Sequence, residues 1–203
     1  MSTLKSLPTF VFIDASNIKN ACEKSCNFTL SWRKLYSYFS TKYLSLKNIF
    51  YFEGIAKNDT KKEAKFDKLA KIGYAILSLT RKTYLKDERF REVVCGKCNN
   101  KIPVKTSTNG STLKSNVDVY LAAKFMETTN STEEPIHLIL VSCDGDFVEL
   151  IKVALRQKPN LCVSVFATPY SKNYNYLSSR FKELRPENRF FLNDISKIKD
   201  LIS

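Results

Sequence analysis

Histidine is almost absent from this chain of 203 residues: His137 is the only one. A Ser-His-Asp or Cys-His nucleophile would have to use it, yet it lies in an apolar run where a structural strand residue is the natural reading. Glycine-rich phosphate loops are missing too. Neither G-x-x-x-x-G-K-[ST] nor G-x-G-x-x-G occurs, so a nucleotide-cradling role has no motif behind it. No apolar stretch approaches the length of a spanning helix, and the N-terminus lacks the features of a signal peptide. These absences predict a soluble protein, cytoplasmic or otherwise intracellular, with no membrane partner. Acids are scarce beside bases: 20 Asp and Glu against 33 Lys and Arg give a formal charge of +13. A balance that positive points to a polyanionic partner.

What is present suits one domain spanning 1–203, because 43% hydrophobic residues and 14 Phe can build a core. The most informative stretch is Ile136 to Ile151, IHLILVSCDGDFVELI. A run short enough for a buried strand turns through Ser142-Cys143-Asp144-Gly145-Asp146, and apolar residues then resume at helical spacing. Asp144 or Asp146 could simply cap that helix, but one cap needs one side chain and here two acids alternate. Thr9 to Ile13 is a second β-rich run, ending at Asp14. Further strands are expected at Asn48–Ile55, Tyr74–Thr83 and Leu161–Ala167, with a short extended piece at Arg189–Leu192. Helices are expected after Asp14, from Ser31, over Asp59–Ile72 with Gly73 as the stop, around Val117–Phe125, and over Tyr174–Leu184. The alternation predicts an α/β fold with a mostly parallel central sheet and helices on both faces. Residues from about 84 to 113 interrupt it and read as a polar, basic loop insertion.

If the strands ending at Asp14 and before Asp144 are neighbours, their carboxyl ends gather Asp14, Asp144 and Asp146, and Asp118 can lean in from the helix that precedes the second. Carboxylates packed so closely repel one another unless a cation neutralises them. Oxygen ligands without His or thiolate favour magnesium or manganese over zinc. Such an ion would activate water and stabilise an in-line phosphoryl transition state. Asn17 and Ser142 are neutral groups at the same edge, suited to orienting water, metal-bound water or phosphate.

The segments Ile13-Asp14-Ala15-Ser16-Asn17, Lys114-Ser115-Asn116-Val117-Asp118-Val119 and Val141-Ser142-Cys143-Asp144-Gly145-Asp146-Phe147 resemble the three motifs of NYN domains of the LabA/DUF88 type. The resemblance runs from about Thr9 to Ala167. It implies a three-layer, PIN-like, metal-dependent ribonuclease fold in which Asp14, Asp118, Asp144 and Asp146 form the acidic metal pocket, with Asn17 beside them. Ala15 and Asn116 stand where the family usually has glycine. The acid spacings of von Willebrand A-type domains and haloacid-dehalogenase-like phosphatases fit these positions less well.

Between Lys57 and Lys105 basic residues outnumber acidic ones by more than two to one. Arg81, Lys82, Lys86, Arg89 and Arg91 are expected near the acidic edge, with Lys114 of the second motif. Tyr84 and Phe90 are interleaved and could stack on unpaired bases. Six cysteines do not read as a secreted disulfide framework, and Cys95-x-x-Cys98 is half of a tetrahedral zinc site with no second C-x-x-C. An empty knuckle, a zinc shared in a dimer, recruited distant cysteines and a redox pair all stay open for it. The expected function is a magnesium- or manganese-dependent endoribonuclease acting on single-stranded or structured RNA. A non-catalytic RNA-binding or assembly module and a small-nucleotide phosphohydrolase are the alternatives, and a homodimer or larger assembly is left open.

Overall fold

The computed structural model describes residues 4–86, 90–96, 98–105, 110–168 and 179–203. In chain order, β1 (Thr9–Asp14) leads to α1 (Ala15–Ser25), α2 (Trp32–Lys42) and β2 (Leu46–Ile55). Then come α3 (Thr60–Ile72), β3 (Ala75–Thr80) and four short strands, β4 (Lys82–Lys86), β5 (Phe90–Val94), β6 (Lys101–Lys105) and β7 (Gly110–Lys114). The remaining elements are α4 (Val117–Thr129), β8 (Ile136–Val141), α5 (Phe147–Gln157), β9 (Leu161–Ala167), β10 (Phe190–Asp194) and α6 (Lys199–Ile202).

Six of the strands form one parallel sheet in the order β10-β9-β8-β1-β2-β3. Helices α1 to α3 pack on one face and α4 and α5 on the other, giving the expected three-layer α/β architecture. The two strands with the most continuous apolar runs occupy the centre. β8 is buried along its whole length, and β1 at every position but Phe10. Alternation along β2 sorts its aromatics by face. Phe52 stacks with Phe12 and Phe50 packs tilted against it, and Phe12 meets Phe125 of α4 at 5.0 Å between ring centroids. Tyr51 turns the other way, toward Trp32, Phe66 and Tyr74.

Local signals set the helix ends. The Ser31 and Asp59 side chains accept hydrogen bonds from the backbone N–H groups of Lys34 and Lys62 and start α2 and α3. Gly73 ends α3 at φ 120°, where a Cβ would also run into the Tyr36 ring. His137 is the strand residue the sequence suggested. It is buried, its Nε2 lies 2.8 Å from Ser164 Oγ, and burial together with Lys42 pushes its pKa down to about 4.

Two expectations change and a third is borne out in fuller form. The described parts of the 84–113 stretch are not a loop: β4 pairs with β7 and β5 with β6, both antiparallel, as two two-stranded sheets, the second enclosed by the first in sequence. A two-stranded ribbon buries little, so its residues need not alternate between apolar and polar, and that alternation was the signal sought. The extended piece near Arg189 becomes β10, the sixth strand of the sheet, in parallel register with β9. Of the helix expected over 174–184, the described part, Ser179–Leu184, is a 3-10 segment; the rest lies outside the described residues. Among the described residues no helix is long and apolar enough to cross a membrane.

Candidate functional site

β1 and β8 are adjacent, with Ile13 opposite Val141, but their connections leave in opposite directions, β1 toward β2 and β8 toward β9. That divergence opens a crevice beyond the carboxyl ends of both strands, the usual ligand position in open α/β sheets. The register puts Asp14 and Ser142 next to each other, one residue beyond the last paired positions.

Asp14 is 6% exposed, and its two carboxylate oxygens have separate partners. Oδ1 accepts the Asn17 backbone N–H at 3.3 Å and so caps α1, while Oδ2 accepts the Ser142 hydroxyl at 3.1 Å. Burial, followed by the charge of Asp118, pushes the Asp14 carboxyl up to about 7; the two hydrogen bonds only partly offset this. Asp118 lies in the first turn of α4, where the helix dipole favours an anion. Burial and the charges of Asp144 and Asp146 nevertheless raise its pKa. Asp144 Oδ1 accepts the Asp146 backbone N–H at 2.9 Å. Asp146 occupies the N-cap position of α5 but makes no side-chain capping bond, so the bland reading fails for it. Its carboxylate is 94% exposed and stands 4.0 Å from Arg180 Nη1.

Ser142 and Asn17 are both engaged by groups of the protein itself. Ser142 is fully buried, donating to Asp14 and accepting the Asp144 N–H at 3.1 Å, so its hydroxyl positions both acids. Asn17 Oδ1 accepts the Cys143 N–H at 2.8 Å and ties α1 to the exit of β8.

Asp14 and Asp118 share a cleft of about 230 Å³ with Ser16, Glu53, Arg81 and Ser115. Glu53, Ser16 and Ser115 were not singled out from the sequence. For Glu53 a signal existed: it is a lone charge in the otherwise apolar run IFYFEGI. Burial disfavours its charge, but hydrogen bonds from Lys62, Tyr51 and Lys65 outweigh that and hold the carboxyl below its usual range. Gly54 lets the far wall close in. A Cβ there would collide with Ser115 Oγ and stand 3.1 Å from Arg81 Nε. Arg81 is fixed from behind, its backbone N–H donating to Ile55 O at 2.7 Å. Lys82 is exposed at the start of β4, in register with Lys114. Only the backbone strands of Lys86, Arg91 and Lys114 are described, and Arg89 lies outside the described residues.

The donor set is all oxygen, which fits a hard divalent cation. Among the described residues no three acidic, His or Cys side chains form a ready ligand cluster. That is compatible with magnesium, which keeps several waters and takes only one or two carboxylates.

The family model of the NYN domain matches residues 8–183. A solved structure of a protein of unknown function from Vibrio parahaemolyticus superimposes with a TM-score of 0.58, at 19% identity over 95% of this chain and 96% of that one. At that identity the likeness concerns the fold alone. None of the curated proteins matches.

Proposed function

This chain belongs to the NYN domain family, part of the PIN-like nuclease superfamily, and from that premise we propose that it is a magnesium- or manganese-dependent endoribonuclease. The observation that supports this most is Asp14: a carboxylate buried beside Asp118 at the sheet's switch point is costly without a cation and useful with one. Asp14 and Asp118 would hold the ion, with Asp144 and Asp146 adding negative charge at its outer side. A bound ion supplies charge at the scissile phosphate and makes water a better nucleophile. Ser142 and the Asn17 N–H keep the Asp14 carboxylate in one orientation. Arg81, on the opposite wall, would bind a phosphate oxygen, and Lys82, exposed at the start of β4, would carry the basic track onward to the RNA backbone.

The deciding experiment is cleavage of a labelled single-stranded RNA by wild type and Asp144→Asn, with manganese, magnesium or EDTA. Asparagine can still accept the Asp146 N–H, so the loop is kept while the charge goes. Cleavage that needs the metal and disappears in the variant is the expected result. Equal cleavage by both proteins would sink the reading, and RNA retained by wild type without cleavage would identify a binding module instead. Gly54→Ala should act at the opposite wall. By displacing Ser115 and Arg81 it is expected to cut turnover by about 10–100-fold while leaving the melting temperature within a few degrees. Unchanged turnover would remove Arg81 from the reaction.

A further inference from the structure

The β5–β6 hairpin carries a motif that the acidic site does not use. Its tip is Cys95-Gly96-Lys97-Cys98-Asn99-Asn100. The Cys95 N–H donates to Asn100 O and the Asn99 N–H to Cys95 O, both at 2.9 Å, and Asn99 takes the left-handed conformation at φ 55°. These bonds close the turn with both cysteines on it, Cys98 exposed and Cys95 partly so. Two thiols at C-x-x-C spacing on a tight turn supply half of a tetrahedral zinc shell.

The other half has no source in the same chain among the described residues. Cys22 and Cys143 are buried in the body, Cys162 lies on β9, and Cys26 sits at the carboxyl end of α1. His137 is buried against Ser164 in the main sheet. Cys22, Cys143 and His137 could not join the tip without opening the core, and among the described residues no group of three or more His, Cys, Asp or Glu suited to a metal brings Cys26 or Cys162 to it. Glu92, on the ribbon, is engaged by Lys101 at 3.0 Å.

The ribbon also has an unpartnered apolar side. Among the described residues, four of the seven large apolar side chains left exposed, Val93, Val94, Ile102 and Val104, lie on β5 and β6. Val93 is directly opposite Ile102, and Val104 follows two residues along, so these three share one face at 36%, 47% and 44% exposure. A small ribbon would not normally present such a stripe to water.

We infer that Cys95 and Cys98 are half of a tetrathiolate zinc site completed by a second copy of this chain, the two ribbon tips meeting with their apolar faces in contact. A second copy supplies the missing pair of thiols and an equivalent apolar stripe from one symmetric contact.

The test uses the full chain, stripped with chelator, kept reduced by a phosphine and held in excess magnesium. Zinc chloride is added while mass is followed by light scattering after size exclusion. The mass should double, with an end point of one zinc per two chains. Cobalt in place of zinc should give the intense visible bands of tetrahedral thiolate coordination, which oxygen ligands of the acidic pocket do not produce. Cys98→Ser, checked for folding by circular dichroism, should stay monomeric with zinc present. Val93→Thr with Ile102→Thr keeps the thiols and should require several-fold more protein to dimerise. One zinc bound per monomer, no thiolate bands with cobalt, or a dimer indifferent to both zinc and Cys98→Ser would overturn the inference. No readout involves RNA, so the outcome is independent of the nuclease reading.

Discussion

Asp14→Asn is expected to abolish metal-dependent RNA cleavage while making the metal-free protein more stable at pH 8. Loss of activity follows from removing the most buried carboxylate of the cleft; a drop of at least about 10³-fold corresponds to roughly 4 kcal/mol of transition-state stabilisation, within what a displaced catalytic metal costs. Gain in stability follows from the same burial. The carboxylate is 6% exposed, and burial and Asp118 push its pKa up to about 7, so at pH 8 the folded state must hold a poorly solvated charge. Asparagine is about as good an N-cap as aspartate and can still accept the Asn17 N–H. The Asn amide nitrogen cannot accept the Ser142 hydroxyl as Oδ2 does, so of the penalty relieved about 1–2 kcal/mol should remain as net gain, raising the melting temperature by roughly 2–8 °C in a chain of this size. Scanning calorimetry beside the cleavage assay checks both halves. A variant that is inactive and less stable would mean that Asp14 serves the fold alone.

The second large effect couples pH, metal and stability. Between about pH 4 and pH 7 the folded protein keeps the Asp14 proton that the unfolded chain has already released. The unfolded state therefore binds fewer protons, and stability contributed by this group falls as pH rises through that window. The penalty is complete above about pH 7 and is on the order of 4 kcal/mol. Magnesium or manganese should reverse it by binding the ionised form. At a hundred times its dissociation constant an ion adds about 2.7 kcal/mol, a rise of roughly 5–10 °C at pH 8. At pH 5 the proton competes for the same oxygens and the rise should mostly vanish. Thermal melts at both pH values, with metal or EDTA, measure this. An equal metal-induced rise at pH 5 and pH 8 would show that the ion binds elsewhere.

How much of the site was legible depended on the residue. Asp14 and Asp144 could be found because each follows a run apolar enough to be a central strand, and a charge at the end of such a run stands out. Asp118 stood out through its motif neighbours rather than its surroundings. Ser142 was identified, but its role was not: only its complete burial between Asp14 and the Asp144 N–H makes it a positioning group. Glu53 gave a signal that pattern reading passed over, because its partners Lys62 and Lys65 lie on a different element, α3.

The sequence by itself determined the α/β class, the central strands, the helix caps at Ser31 and Asp59 and the stop at Gly73. Each depends on side chains close together along the chain: apolar periodicity, a hydroxyl or carboxylate three residues before an N–H, a residue without a Cβ. Only the tertiary structure decided which strands are neighbours, and with that the contact between Asp14 and Ser142 across 128 residues of sequence. It also decided that the described parts of the 84–113 stretch pair into two antiparallel ladders and that the Cys95-Cys98 tip stands apart from the other cysteines. Those outcomes come from pairing between distant segments, whose energy lies in hydrogen bonds and burial that neither segment makes alone.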